Sequence, residues 1–300
     1  MKKTIAALLL LLLLPLCACE NEPAPVSSEV SSEVSSEISS ETPSQTESVD
    51  PNAPLSESEI ERFQEQIARI NESDNVIEKL QFSVRTKAGS TTSTQESTTL
   101  FYLHMDGEDS ELYQETINDY AGITVHSIGY FCDGRMYQIT RQGEQSSGYY
   151  VKKSYDEVLD TDGDRDTLYK MRDLIPQGEV TRADGEITVS VAGTDEDFMD
   201  RTLQNFKESG MIGEGEGATF TPTEALLELT LGTDGKLRRA VEEISFDLTV
   251  KGDGATSHSS YCCRITTDYV SYDDGTVEVP VPEDLASYEE WDDGSWGVDL

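Results

Sequence analysis

The run Asp160-Thr161-Asp162-Gly163-Asp164-Arg165-Asp166 sets four carboxylates at alternate positions in a short polar stretch. Alternate aspartates in a tight loop are how oxygen-ligated calcium sites begin. Arg165, however, stands where an EF-hand loop has its glycine, and Met171 stands where it has its bidentate glutamate. The same carboxylates adjoin a helix predicted over 164–175, which they would cap and whose dipole they complement. We therefore expect capping, with Asp160, Asp162, Asp164 and Asp166 as the calcium candidate to be tested. His104, His126 and His258 are far apart in the chain, without the spacing of a zinc-protease helix, and no nucleophile elbow accompanies them. Gly213-Glu214-Gly215-Glu216-Gly217 has the glycines of a phosphate loop, but its glutamates repel phosphate. No enzyme activity and no resident cofactor are expected. Cys132, Cys262 and Cys263 leave two readings open: one disulfide from Cys132 to either neighbour, or buried free thiols.

Charge narrows the partners. The 300 residues carry 59 acidic and 22 basic side chains, a net charge of −37. A chain this acidic repels nucleic acid and anionic lipid headgroups, so neither is expected as a partner.

The N-terminus carries an address. Lys2 and Lys3 precede an unbroken apolar run from Ile5 to Leu14, which is too short to span a bilayer as a resident helix. Pro15 ends the run, and Leu16-Cys17-Ala18-Cys19 follows. This tetrapeptide resembles the lipobox of bacterial lipoproteins, which implies a signal peptide over 1–18, lipidation at Cys19 and a protein held on the outer face of the cytoplasmic membrane. Residues 19–54 then read as a tether. Ser-Ser-Glu-Val recurs at 27–30 and 31–34, and Ser-Ser-Glu-Ile follows at 35–38. Serine is a mediocre helix former and three aliphatic residues bury too little to offset chain entropy, so disorder is expected, with a reach of roughly 35 Å.

The folded part, 55–285, opens on a helix at 56–71. Ser56 and Glu59 have capping-box spacing, and Ile60, Phe63, Ile67 and Ile70 share a face. Leu80, Phe82 and Val84 alternate as a strand does. The next strand, 97–105, is apolar on both faces, with Leu100 and Tyr102 on one and Phe101, Leu103 and Met105 on the other. Such a strand is covered on both sides or lines a cavity. A hairpin is expected across Asp133-Gly134 and a further strand at 149–151, then helices at 164–175 and 195–208. Late strands at 227–231, 244–250, 261–265 and 277–281 follow, and 286–300 reads as an acidic, aromatic tail containing Trp291 and Trp296. This order gives an α+β fold with a large meandering sheet.

Several stretches together resemble a known group: the opening helix, Tyr130-Phe131-Cys132-Asp133-Gly134-Arg135-Met136-Tyr137, Leu227-Glu228-Leu229-Thr230-Leu231, and the closing Val279 to Asp284. The order of elements is similar to that of LolA-like lipoprotein carriers, including Gram-positive lipoproteins that share their fold. The resemblance implies a curved antiparallel half-barrel packed on helices, with an apolar hollow. The lining candidates are Leu100, Tyr102, Phe101, Leu103, Phe246 and Leu248. The expected function is a non-enzymatic, membrane-anchored lipoprotein binding an apolar or amphiphilic, lipid-like ligand. Its rival is a protein-interaction or sensor module that uses the acidic face or the tail.

Overall fold

The computed structural model describes residues 50–120, 123–154, 157–158, 165–209, 211–213, 217–252, 255–272, 275 and 277–291. Cys19, the repeats of the tether, Asp160, Asp162, Asp164 and Trp296 lie outside the described residues.

Helix α1, Glu57–Glu72, starts where the capping box places it: Glu59 N donates to Ser56 Oγ at 3.3 Å and Ser56 N donates to Glu59 Oε2 at 2.7 Å. Glu59 also accepts a forked pair of bonds from Arg182, at 2.9 and 3.0 Å. Burial pulls this carboxyl upward, but the Ser56 bonds and the Arg182 guanidinium outweigh it, and its pKa lies below the ordinary carboxylate value. The bridge therefore stabilises fully above that ordinary value and fades as pH falls through the lowered one.

Five strands follow in sequence after β1 (Asn75–Ala88): β2 (Thr91–His104), β3 (Glu111–Tyr120), β4 (Ile123–Cys132), β5 (Arg135–Gln142) and β6 (Gln145–Lys152). Each pairs antiparallel with its predecessor. The β4–β5 turn is the expected hairpin, with Asp133 at φ 50° and Gly134 at φ 69°. A second meander contains β7 (Glu179–Ala183), β8 (Glu186–Gly193), β9 (Ala218–Leu231), β10 (Leu237–Gly252) and β11 (Ala255–Tyr272). Helix α2 (Arg165–Met171) precedes it, and helix α3 (Glu196–Glu208) interrupts it between β8 and β9. The meanders join through β1 and β11, where Val76 faces Tyr272 and Lys87 faces Ser260. The short β12 (Glu289–Glu290) lies parallel to β6, so the strand order is β12-β6-β5-β4-β3-β2-β1-β11-β10-β9-β8-β7.

This topology overturns the expected α+β half-barrel packed on helices. Twelve strands form one open, mixed sheet, and only three short helices occur among the described residues. Part of the error is local. The helix expected over 164–175 ends at Met171, and Arg172–Gln177 winds as a 3₁₀ turn around Pro176, which has no N–H to donate and crowds the carbonyl four residues before it. Strands β3, β7 and β8 add width beyond the expected strands, and only β3 is concealed by polar sequence.

Opposite faces of the sheet hold separate cores. On one, Phe63, Ile67 and Ile70 of α1 and Phe198, Leu203 and Phe206 of α3 cluster with Val76, Leu103, Leu229, Ile244 and Cys263 of the strands. Each large apolar side chain buried there contributes about 1.5–3 kcal/mol. Tyr272 fastens α1 to the sheet, its hydroxyl accepting from Leu237 N at 2.7 Å and donating to Gln66 Oε1 at 2.8 Å. On the other face Tyr113, Ile128, Tyr130, Tyr137 and Ile139 form a second core against Val279, Leu285 and Tyr288 of the C-terminal segment. No strand occurs at 277–281; Val279 is buried, and Val281 is 63% exposed.

Candidate functional site

The alternation of β2 distributes the lining candidates between the two cores. Leu103 is fully buried in the first, and Phe101 packs on its border; Tyr102 packs on the second, edge-on to Tyr113 at 5.9 Å. Leu100 is half-buried and belongs to neither cluster. Phe246 is in the first core, with its ring stacked on Tyr261 at 5.2 Å, and Leu248 packs beside it. Phe101 and Leu103 thus share a face with Phe246 and Leu248, while Leu100 and Tyr102 point the other way.

The helix-covered face has a cleft where the C-terminal end of α3 meets β1, β10 and β11. Register builds its floor: Leu80 lies opposite Thr267, and Ile265 lies opposite Glu242. Asn205, Phe206, Ser209 and Met211 form the wall above. The helix ends there because Ser209 caps it, its N–H donating to Asn205 O at 2.9 Å while Ile212 N returns to Phe206 O at 3.0 Å. The cleft measures about 40 Å³, room for about three water molecules. It does not enclose a ten-carbon chain.

Asn205 makes this cleft more than a packing gap. The side chain is 5% exposed, and its Nδ2 donates to no described group. A buried amide donor left unsatisfied costs about 1–3 kcal/mol. A carbonyl, ester or hydroxyl oxygen in the cleft would satisfy it, with Leu80, Ile265 and Met211 offering apolar contact around that oxygen. Sequence reasoning missed Asn205. Its signal is a polar residue in phase with the apolar stripe of α3, seven residues after Phe198 and three after Thr202.

The remaining candidates sort as follows. Asp166 lies within α2, and no group of three or more metal-ligating side chains occurs among the described residues. Millimolar calcium should raise the melting temperature no more than magnesium does; a several-degree rise specific to calcium and lost in Asp162→Asn would reverse the capping assignment. The cysteines are free: Cys263 is buried, and Cys132 and Cys262 are half-buried. His104 and His126 are held by side-chain oxygens, Asn75 Oδ1 and Glu115 Oε1, both at 2.7 Å. The described part of the tail is packed. Trp291 packs tilted against Tyr149, ring centroids 4.4 Å apart, and Tyr288 comes so close to Gly148 that a Cβ there would lie 3.1 Å from its ring.

No protein-family model matches the chain, and no curated protein does. Among solved structures it is similar to the YwiB protein from Bacillus subtilis, at 8% identity over 66% of this chain and 94% of that one, with a TM-score of 0.19. It is also similar to a DUF1329 family protein from Desulfovibrio piger, at 12% identity over 76% of this chain and 96% of that one, with a TM-score of 0.21. Likenesses at this level carry no argument about what the chain does.

Proposed function

We propose that the protein is a membrane-anchored, extracytoplasmic lipoprotein, kin to the LolA-like carriers, that binds an amphiphilic ligand without chemical change. Lipid on Cys19 holds it to the membrane, and the polar tether carries the folded part clear of the surface. The ligand places a headgroup oxygen against Asn205 Nδ2 and its first apolar atoms against Leu80, Ile265 and Met211. The carrying observation is the buried, unpartnered amide of Asn205 in the lining of a cleft where Leu80, Phe206, Met211 and Ile265 alternate with Ser209, Glu242 and Thr267. Its small volume selects one end of an amphiphile rather than a whole acyl chain. Burial of each methylene gains about 0.8 kcal/mol, so affinity grows with the length of chain lying along α3.

Asn205→Leu separates fold from ligand. The substitution removes an unsatisfied donor at nearly constant volume, and should stabilise the protein by about 1 kcal/mol. The same variant should lose most of its affinity for an environment-sensitive fatty probe, which the parent full-length chain binds saturably and releases to extracted envelope lipid. Absence of saturable binding to the parent, or equal binding by both, overturns the proposal. Native mass spectrometry of protein from its own host should show a bound amphiphile directly.

A further inference from the structure

The face opposite α1 and α3 carries a second concavity, of about 440 Å³, beside the β1–β2 turn. Two rows of side chains cross four strands to make it. Thr94, Arg85, Cys262 and Ser245 stand in one row, and Thr92, Lys87, Ser260 and Asp247 in the next. The bulge between Ser245 and Phe246 adds an extra residue to β9, and the extra residue, Thr223, joins the rim.

Charge gives this hollow its chemistry. Eight cations elsewhere, Arg69, Lys152, Lys170, Arg182, Arg201, Arg238, Arg239 and Arg264, each bridge to a carboxylate. In a chain of net charge −37, Arg85 and Lys87 stand in adjacent rows of one hollow with no ion pair or hydrogen bond to a described residue. Hydroxyls of Thr92, Ser245 and Ser260 surround them, and Asp247, the one carboxylate in the lining, accepts from Ser260 Oγ at 2.6 Å. The volume falls in the range of small-molecule sites.

We propose that this hollow binds an acidic carbohydrate of one or two rings. Arg85 and Lys87 take its carboxylate or phosphate through charge-assisted hydrogen bonds. The hydroxyl side chains and Asp247 exchange hydrogen bonds with the ring hydroxyls. This site is independent of the Asn205 cleft and lies on the other face of the sheet.

The test titrates the full-length chain with glucuronate and glucose 6-phosphate, with glucose and inorganic phosphate as controls. Both acidic sugars should bind saturably and more tightly than either control. Arg85→Gln with Lys87→Gln should weaken them about tenfold or more, and Asn205→Leu should leave them unchanged. Both replaced side chains are exposed, so an unchanged melting temperature should show that the fold is retained. Cys262 provides a second readout. Burial pushes the Cys263 thiol up to about 12 and raises that of Cys132, so alkylation near pH 8, located by peptide mass mapping to separate it from Cys17 and Cys19, should report on Cys262. Bound glucuronate should slow that alkylation in the parent and not in the double variant. Inorganic phosphate binding as tightly as glucose 6-phosphate, or affinities unmoved in the double variant, overturns the proposal.

Discussion

Replacing Cys19 with serine should move the protein almost completely from the membrane fraction to the medium, or leave it as an unprocessed precursor. The expectation rests on the basic pair, the short apolar run and the cysteine directly after Ala18. No described helix is long and apolar enough to cross a membrane. Removing the thiol removes the acceptor for the acyl groups, and the folded part exposes few large apolar side chains to hold it in place: Ile123, Val270 and Val281. Fractionation with immunodetection, and intact mass before and after substitution, give the answer. A serine variant that stays in the membrane fraction at its lipidated mass ends the assignment.

Leu103→Ala should destabilise the protein by about 2–5 kcal/mol in urea denaturation, whereas Leu100→Ala should cost less than about 1 kcal/mol. The two residues are three apart on one strand, and they differ in burial. Leu103 is fully enclosed between Val76 on β1 and Leu112 on β3, so truncation leaves a cavity that the paired strands cannot collapse. Leu100 lies between Lys79 and Glu115, where water and long side chains fill the space. Similar small costs at both positions would mean that Leu103 borders an open hollow, and the two-core description would fail.

Where chemistry and periodicity agreed, the fold was legible. Ser56 and Glu59 mark the start of α1 because reciprocal capping needs those two types at that spacing. Asp133-Gly134 marks its turn because both positions need positive φ. Strand β3, Glu-Leu-Tyr-Gln-Glu-Thr-Ile-Asn-Asp-Tyr, is hidden: only Leu112, Tyr113, Ile117 and Tyr120 are apolar or aromatic, and they do not alternate. The β7–β8 hairpin has a readable Asp184-Gly185 turn and alternation at Ile187, Val189 and Val191, but its strands are only 5 and 8 residues long and lie between two helices. Neither candidate site was legible. The hollow exists only because β1, β2, β10 and β11 align Arg85 and Lys87 with residues up to about 170 positions away, and no local pattern encodes that register.

The joint between β1 and β11 also governs how the chain can fold as it emerges. Strand β1 emerges early, but Val76 must wait for Tyr272 before its second edge is paired. Until then the first meander holds open an edge of 14 residues, with Val76 and Val84, both destined for the core, beside it. Such long-range pairing is slow, and unpaired edges recruit other chains. Folding of this protein should therefore depend on chaperones more than its final stability suggests, and truncation before residue 255 should yield aggregate rather than a smaller soluble fold.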